Sequence, residues 1–292
     1  MNKNTIKIIV CTTFALLAFA GNSVLCRLAL GEKSIDAASF TIIRLLSGIF
    51  ILMIAVAMTR KTKNTQSTGS WLGASMLFVY AVAFSYGYIS LDTGTGALIL
   101  FAAVQITMIA VSVVSGNRLH YAEWLGVFIA FSGFVYLIIP SVTTPSLMGF
   151  ILMTVSGMAW GFYTLIGRSS TQPLADTAYN FLRTSPFVLV LLIFTLQDAN
   201  LSQEGVLLAV LSGAIASGVG YAVWYIALKG LSVTQAAVVQ LFVPIVAAIG
   251  GVIFTNELIT LRLVESSALV LGGILTVILG RNYFVSRTSK TR

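Results

Sequence analysis

Ser39-Phe-Thr-Ile-Ile-Arg44 in the first half of the chain returns in the second half as Ala178-Tyr-Asn-Phe-Leu-Arg183. Two further pairs follow in the same order: Tyr88-Ile-Ser-Leu-Asp92 with Tyr225-Ile-Ala-Leu-Lys229, and Asn117-Arg-Leu119 with Asn256-Glu-Leu258. In both of these pairs the boundary charge reverses, Asp92 aligning with Lys229 and Arg118 with Glu257. The chain therefore reads as one unit written twice, with the join near residue 145. In a membrane, where charge sets orientation, reversed charges imply that the second copy is inserted upside down relative to the first.

Composition demands that membrane. Apolar residues make up 58% of the 292, charged residues only 9%, and the mean hydropathy is +0.97. A soluble domain with so few charges would not stay dispersed. Apolar runs of the length needed to cross a bilayer as helices occur ten times, at roughly 6–28, 36–58, 71–91, 95–115, 124–140, 147–167, 176–196, 204–228, 234–254 and 258–280. The runs lack period-2 alternation and are too long for barrel strands. The expected fold is an all-α membrane protein of ten transmembrane helices arranged as two inverted five-helix repeats. Residues 1–142 form the first repeat, 146–284 the second, and 285–292 a basic cytoplasmic tail. Five crossings per copy force the inversion by counting alone.

Charge placement agrees with the count. With the N-terminus cytoplasmic, Arg27, Lys33 and Arg262 fall outside, whereas Lys3, Lys7, Arg60, Lys61, Lys63, Arg118, Arg168, Lys229 and the C-terminal cations fall inside. The net charge of +8 is thus an orientation signal with some attraction to anionic lipid headgroups, and it shows no contiguous nucleic-acid face. Cys11 and Cys26 share the first span about 22 Å apart along its axis, too far to bridge.

The two halves resemble the EamA-type repeats of the drug/metabolite transporter superfamily. The resemblance rests on Ala159-Trp-Gly161 with Tyr163 in span six, the mid-helix Arg44 and Arg183, Gly220-Tyr-Ala-Val-Trp-Tyr225 in span eight, Gln240-Leu-Phe-Val-Pro244 in span nine and Asn256-Glu257-Leu258 before span ten. It implies a carrier of small metabolites in the inner or plasma membrane, often an exporter of amino acids or related compounds. It also implies a central cavity lined by spans one, three, four, six, eight and nine. Two positions depart from the pattern: Arg118 stands where an acidic residue is expected, and Thr107 where span four would carry a proline. The first half is accordingly expected to bend less than the second.

Arg44 and Arg183 are the costliest residues to insert, at about 2.5 to 3.5 kcal/mol each at a helix centre. Three readings compete for them: tying helix ends or carbonyls together at a cavity mouth, attracting an anionic group of a substrate, or snorkelling to headgroups. Pro186 frees the carbonyl of Leu182 beside Arg183, and Pro244 frees that of Gln240. Gln240 and Gln105 lie at comparable mid-membrane depth, where unpaired backbone is tolerated only against protein or a watery cavity. They face either the cavity or a neighbouring helix. Aromatic residues group by helical face as Trp160 with Tyr163, and Tyr221 with Trp224 and Tyr225. Interface belts account for Trp71 and Trp124, while the family pattern favours cavity walls for Trp160, Tyr163, Tyr221 and Trp224. Asn22, mid-span in the first helix, joins them. The expected substrate-binding set is Asn22, Gln105, Trp160, Tyr163, Tyr221, Trp224 and Gln240, with Arg44 and Arg183 as gating or charge-recognition residues.

All nine acids lie at or near predicted helix ends, so no carboxylate stands at mid-membrane to exchange protons or to balance a cationic drug. No P-loop, nucleotide fingerprint, or metal or hydrolase motif is present, and His120 falls in a loop. Neither an enzyme nor a cofactor is expected. The partners are a small-molecule substrate and membrane lipid. The reading is a secondary transporter of a small neutral, zwitterionic or weakly anionic metabolite, with both termini cytoplasmic. The alternative is a lipid or lipid-linked flippase of the same fold. Reporter fusions after Arg118 and after Glu257 should report opposite compartments; a shared compartment would remove the inverted duplication.

Overall fold

The computed structural model describes residues 3–59, 69–116, 121–138, 145–168, 170–231, 236 and 239–288. Arg60, Lys61, Lys63, Arg118, His120, Pro140 and the tail from Ser289 onward lie outside these residues, as do the side chains of Lys3, Arg281 and Arg287. Twelve α-helices are seen among the described residues: α1 Lys3–Gly31, α2 Ala37–Thr59, α3 Trp71–Tyr88, α4 Thr93–Val114, α5 Tyr121–Ile138, α6 Leu147–Gly167, α7 Pro173–Arg183, α8 Ser185–Thr195, α9 Gln203–Val210, α10 Gly220–Leu228, α11 Phe242–Phe254 and α12 Leu261–Thr288. A π-helical segment, Leu211–Val219, joins α9 to α10. The only strand pairing among the described residues is a single antiparallel bridge between Ile35 and Leu201.

Eight helical stretches are long and apolar enough to cross a bilayer, two of them composite: Pro173–Asp198 runs through α7 and α8, and Gln203–Leu228 through α9, the π segment and α10. Two shorter apolar helices, Tyr121–Leu137 and Phe242–Phe254, complete ten. This is the all-α, ten-helix membrane architecture expected from the run lengths.

Spans one to five are each one uninterrupted helix, whereas spans seven, eight and nine are each modified. In span seven the ladder breaks at Thr184, just before Pro186, and the carbonyl of Leu182 that the proline cannot bond accepts instead from Ser185 Oγ at 2.7 Å. In span nine a turn at Leu241 precedes α11, and Gln240 Nε2 donates to the carbonyl of Ala236 at 3.1 Å. Span four carries Thr107 in place of a proline and runs as one helix through Val114, the hydroxyl of Thr107 bonding the carbonyl of Ala103 at 2.7 Å.

Packing follows the small residues, as expected where lipid removes most of the hydrophobic drive between helices. The α3 and α4 helices lie against α6, α2 against the π segment and α7, α3 also against α7, α1 against α10 and α11, α4 against α11, and α5 against α12. Adding five to each span number carries these contacts onto one another, whereas the smaller contacts of α4 with α12, and of α1 with α3 and α4, have no counterpart of like extent among the described residues. At Gly157 a methyl group would stand 2.5 Å from the carbonyl oxygen of Leu100, and at Gly213 it would overlap that of Arg44 outright. Both glycines exist to let backbones touch. Gly213→Ala should therefore lower the thermal unfolding temperature of detergent-purified protein, costing about 1 to 3 kcal/mol through overpacking. Gly21→Ala, with nothing within 4 Å of the added methyl, should leave it unchanged. Equal behaviour of the two variants would refute the packing assignment.

Candidate functional site

A cavity of about 260 Å³ opens at one end of the bundle between α4, α6, α10 and the residues before α11. Gln105, Trp160, Tyr221, Trp224 and Gln240 all line it, so five of the seven residues expected to bind substrate share one chamber. Tyr163 does not line it; the ring is buried beneath the indole of Trp160, with 5.4 Å between centroids. Asn22 lies deeper still, on the far side of an aromatic layer. Thr164, Met108 and Tyr225 line the cavity without having been placed in the expected set. The position of Tyr225, one helical turn beyond Tyr221, was the available signal for it.

The floor of the cavity is aromatic. Trp160 and Tyr221 meet at a tilt of 47° with centroids 4.8 Å apart, and Phe19 meets Trp160, Tyr221 and Trp224 edge-on at 6.4, 5.8 and 5.7 Å. Such pairs add about 0.5 to 1.5 kcal/mol each beyond the area they bury. Below the floor, Phe19, Asn22, Tyr80, Trp160 and Tyr221 enclose a void of about 10 Å³, room for at most one water.

Polar groups behind the floor converge on the hydroxyl of Tyr80. Arg44 Nη2 donates to it at 3.0 Å and Asn22 Nδ2 at 3.4 Å, and the hydroxyl of Tyr221 stands 3.4 Å away. With two lone pairs and one proton, that oxygen serves all three neighbours only by accepting twice and donating once. Asn22 Oδ1 accepts from Ser212 Oγ at 2.6 Å, and Arg44 Nε donates to Ser217 Oγ at 3.3 Å. The π segment makes this pairing possible. On an α-helix, residues five apart point about 140° away from each other, whereas the wider i to i+5 winding brings Ser212 and Ser217 to one face.

The two arginines that looked equivalent are not. Arg44 is 2% exposed, its guanidinium lying over the rings of Tyr80 at 5.1 Å and Phe84 at 4.8 Å. Arg183 is half-buried at the end of α7 and stacks on the outward-facing ring of Trp71 at 5.6 Å. It lines no described part of the cavity. Arg183 thus meets a ring at the edge of the bundle, whereas Arg44 is held by the hydroxyls of Tyr80 and Ser217.

At the opposite end of the bundle two sets of contacts join the helices, beside a cavity of about 250 Å³ lined by Ser90, Asp92, Thr95, Ser146 and Arg262. Arg27 Nε bonds Glu257 Oε1 at 3.0 Å, Nη2 reaches Asp92 Oδ1 at 3.5 Å, and Nη1 donates to the carbonyl of Tyr88 at 3.2 Å. Glu257 also accepts from the Thr93 backbone N–H at 2.8 Å, which caps the start of α4 and favours a negative charge there. Beside this cluster, the Ile35–Leu201 bridge is extended by Ser202 N–H to Ser34 O at 3.1 Å and by Asp36 N–H to Asn200 O at 3.1 Å. Partial burial pushes the Asp36 carboxyl upward, but hydrogen bonds from Ser39, Asn200 and Ala38 outweigh it and hold the carboxyl below the usual aspartate range. Glu265, the acid nearest to mid-span, accepts from the hydroxyl of Tyr136 on α5.

Comparison with known proteins places this arrangement. The model of the EamA-like transporter family matches residues 147–279. An uncharacterized protein of Pseudomonas aeruginosa is 47% identical over 270 residues, covering 92% of this chain and 94% of that one. An uncharacterized transporter of Archaeoglobus fulgidus is 29% identical over 237 residues, covering 79% and 83%. A solved crystal structure at 17% identity shares the fold, with a TM-score of 0.60 over 91% of this chain and 98% of that one. The fold and cavity are those of a multi-pass membrane transporter. The chain belongs to the EamA-like transporter family.

The Arg27 cluster makes a specific demand. Arg27→Gln and Glu257→Gln should each destabilise the purified protein, and a double-mutant cycle should return a coupling of about 0.5 to 3 kcal/mol. Asp92, 59% exposed, should contribute less than about 1 kcal/mol when changed to Asn. Additive single effects would show that the Arg27–Glu257 pair does not hold this end.

Proposed function

We propose that the chain is a secondary carrier that exports a small organic metabolite, an amino acid or a related neutral, zwitterionic or weakly anionic compound, across the cytoplasmic membrane by alternating access. It works through two oppositely inserted five-helix repeats, 1–142 and 146–284, with both termini in the cytoplasm. One observation carries the reading: a chamber lined by rings and amides opens beside Arg168 and Lys229, while at the other end Arg27, Glu257 and the Ile35–Leu201 bridge tie the helices together, beside a second, more polar cavity of about 250 Å³ that holds none of the ring and amide residues. On this reading the positive-inside rule makes the open end the cytoplasmic one, and the state an inward-facing one. The larger helix contacts, which map onto one another over five spans, support the duplication, and the stretch matched by the family model nearly coincides with the second repeat.

In this mechanism Trp160, Tyr221 and Trp224 hold the apolar body of the substrate, and Gln105 and Gln240 bond its polar groups. Asn22 and Tyr163 set the floor from behind. Outward opening breaks the Arg27 cluster and the strap formed by residues 34–36 and 200–202, and the interrupted ladders at Thr184, Leu211–Val219 and Leu241 provide the places where spans seven to nine bend. With no acid at mid-membrane, the carrier runs by facilitated diffusion or indirect coupling in preference to direct proton exchange.

Uptake and efflux of a metabolite panel in proteoliposomes, with and without an imposed pH gradient, tests this. At least one compound should move, insensitive to the gradient, and Trp160→Ala and Gln240→Ala should each slow it by roughly tenfold or more, about 1.4 kcal/mol. A panel that fails to move, or variants that transport normally, would overturn the reading.

A further inference from the structure

Arg44 carries a full charge in the centre of the bundle with no carboxylate to balance it. Its partners are the hydroxyls of Tyr80 and Ser217 and the faces of Tyr80 and Phe84, and its Nη1 has no hydrogen-bond partner. All nine acids of the chain lie among the described residues, and none is paired with Arg44. A buried, uncompensated guanidinium is expensive, and a structural bundle could replace it with an apolar side chain of similar volume. The planar fork suits a carboxylate, which accepts two parallel bonds from it.

The route to Arg44 has the same sign. Arg168 and Lys229 line the open cavity, and no acidic residue does so among the described residues. Asp176, the carboxylate near that rim, accepts a hydrogen bond from Ser170. Between the cavity and Arg44 stands a single aromatic layer: Trp160 and Tyr221 face both the chamber and the small void beneath it, and Tyr80 joins that void to the guanidinium.

Resting on the carrier reading of this cavity, we propose that the substrate is an organic carboxylate with an apolar or aromatic body, and that its carboxylate binds Arg44 when the Trp160–Tyr221 floor parts. Arg168 and Lys229 gather the anion at the mouth; Arg44 receives it. The floor's parting is the step that commits the substrate.

Three probes sharing one body separate charge from shape: 3-phenylpropionate, 3-phenylpropanamide and 3-phenylpropylamine, titrated calorimetrically into the detergent-purified full chain. The carboxylate should bind more tightly than the amide by roughly 10- to 100-fold, the range of a charge-assisted hydrogen bond, and the amine least. Arg44→Gln should abolish that preference, Arg44→Lys should restore part of it, and the double variant Arg168→Gln with Lys229→Gln should retain most of it. Equal affinity for carboxylate and amide in the unaltered protein overturns the anion assignment while leaving the cavity reading intact. That comparison needs no variant and decides the matter even where Arg44→Gln fails to fold. A preference that survives Arg44→Gln but vanishes with the mouth double variant assigns recognition to the rim and overturns the role of Arg44. Binding of none of the three overturns the cavity reading and this proposal with it.

Discussion

The touching of α2 and the π segment at Gly213 is the contact on which the polar interior depends. Only a residue without a side chain lets the backbone of Arg44 come this close, and only this closeness brings Ser217 within reach of the guanidinium. From there the network spreads through Tyr80 to Asn22 and Ser212, joining spans one, two, three and eight. In lipid such groups have no water to fall back on, so their mutual satisfaction sets how the four spans are rotated. The aromatic floor then rests on positions that this network has already oriented.

Much of the fold could be read from the chain because its determinants are local. Twenty-residue apolar runs are set by bilayer thickness, and Pro186 and Pro244 break their ladders wherever they lie. Thr107, lacking that effect, leaves the ladder of span four unbroken. The cavity was partly legible for another reason: periodicity groups Trp160 with Tyr163 and Tyr221 with Trp224 on helical faces, and the resemblance to the EamA-type repeats is what pointed those faces inward. Tyr80 and Phe19 escaped notice because their roles depend on which helices meet, not on their own spans. Arg27 and Glu257 lie 230 positions apart, and nothing within either segment announces the other. Arg44 and Arg183 show the limit of the repeat as a guide. Equivalent positions in two copies met different neighbours, one a cluster of hydroxyls and the other the ring of Trp71.

The two ends of the bundle are built from different interactions. At the Arg27 end, an ion pair, a capped helix and a two-stranded pairing are all made between segments far apart in the chain. These bonds can be exchanged for water one at a time. The floor between cavity and interior is made of edge-on and tilted rings, which can turn about their side-chain bonds without breaking any backbone hydrogen bond. One end is therefore held by electrostatic contacts, the other separated from the polar interior by a layer of rings.

The π segment has a further consequence for how the family member could change over time. Its wider winding absorbs a residue that an ordinary helix of the same rise would have no room for. A chain one residue shorter between Ser212 and Ser217 would run through as an ordinary coil: the tighter winding of the residues that remain would return most of the turn lost with the one removed, and serines four apart would still share a face. Tyr221 and Trp224 would keep roughly their bearing. Span eight can thus gain or lose one codon at this place while the walls on either side of it stay where they are.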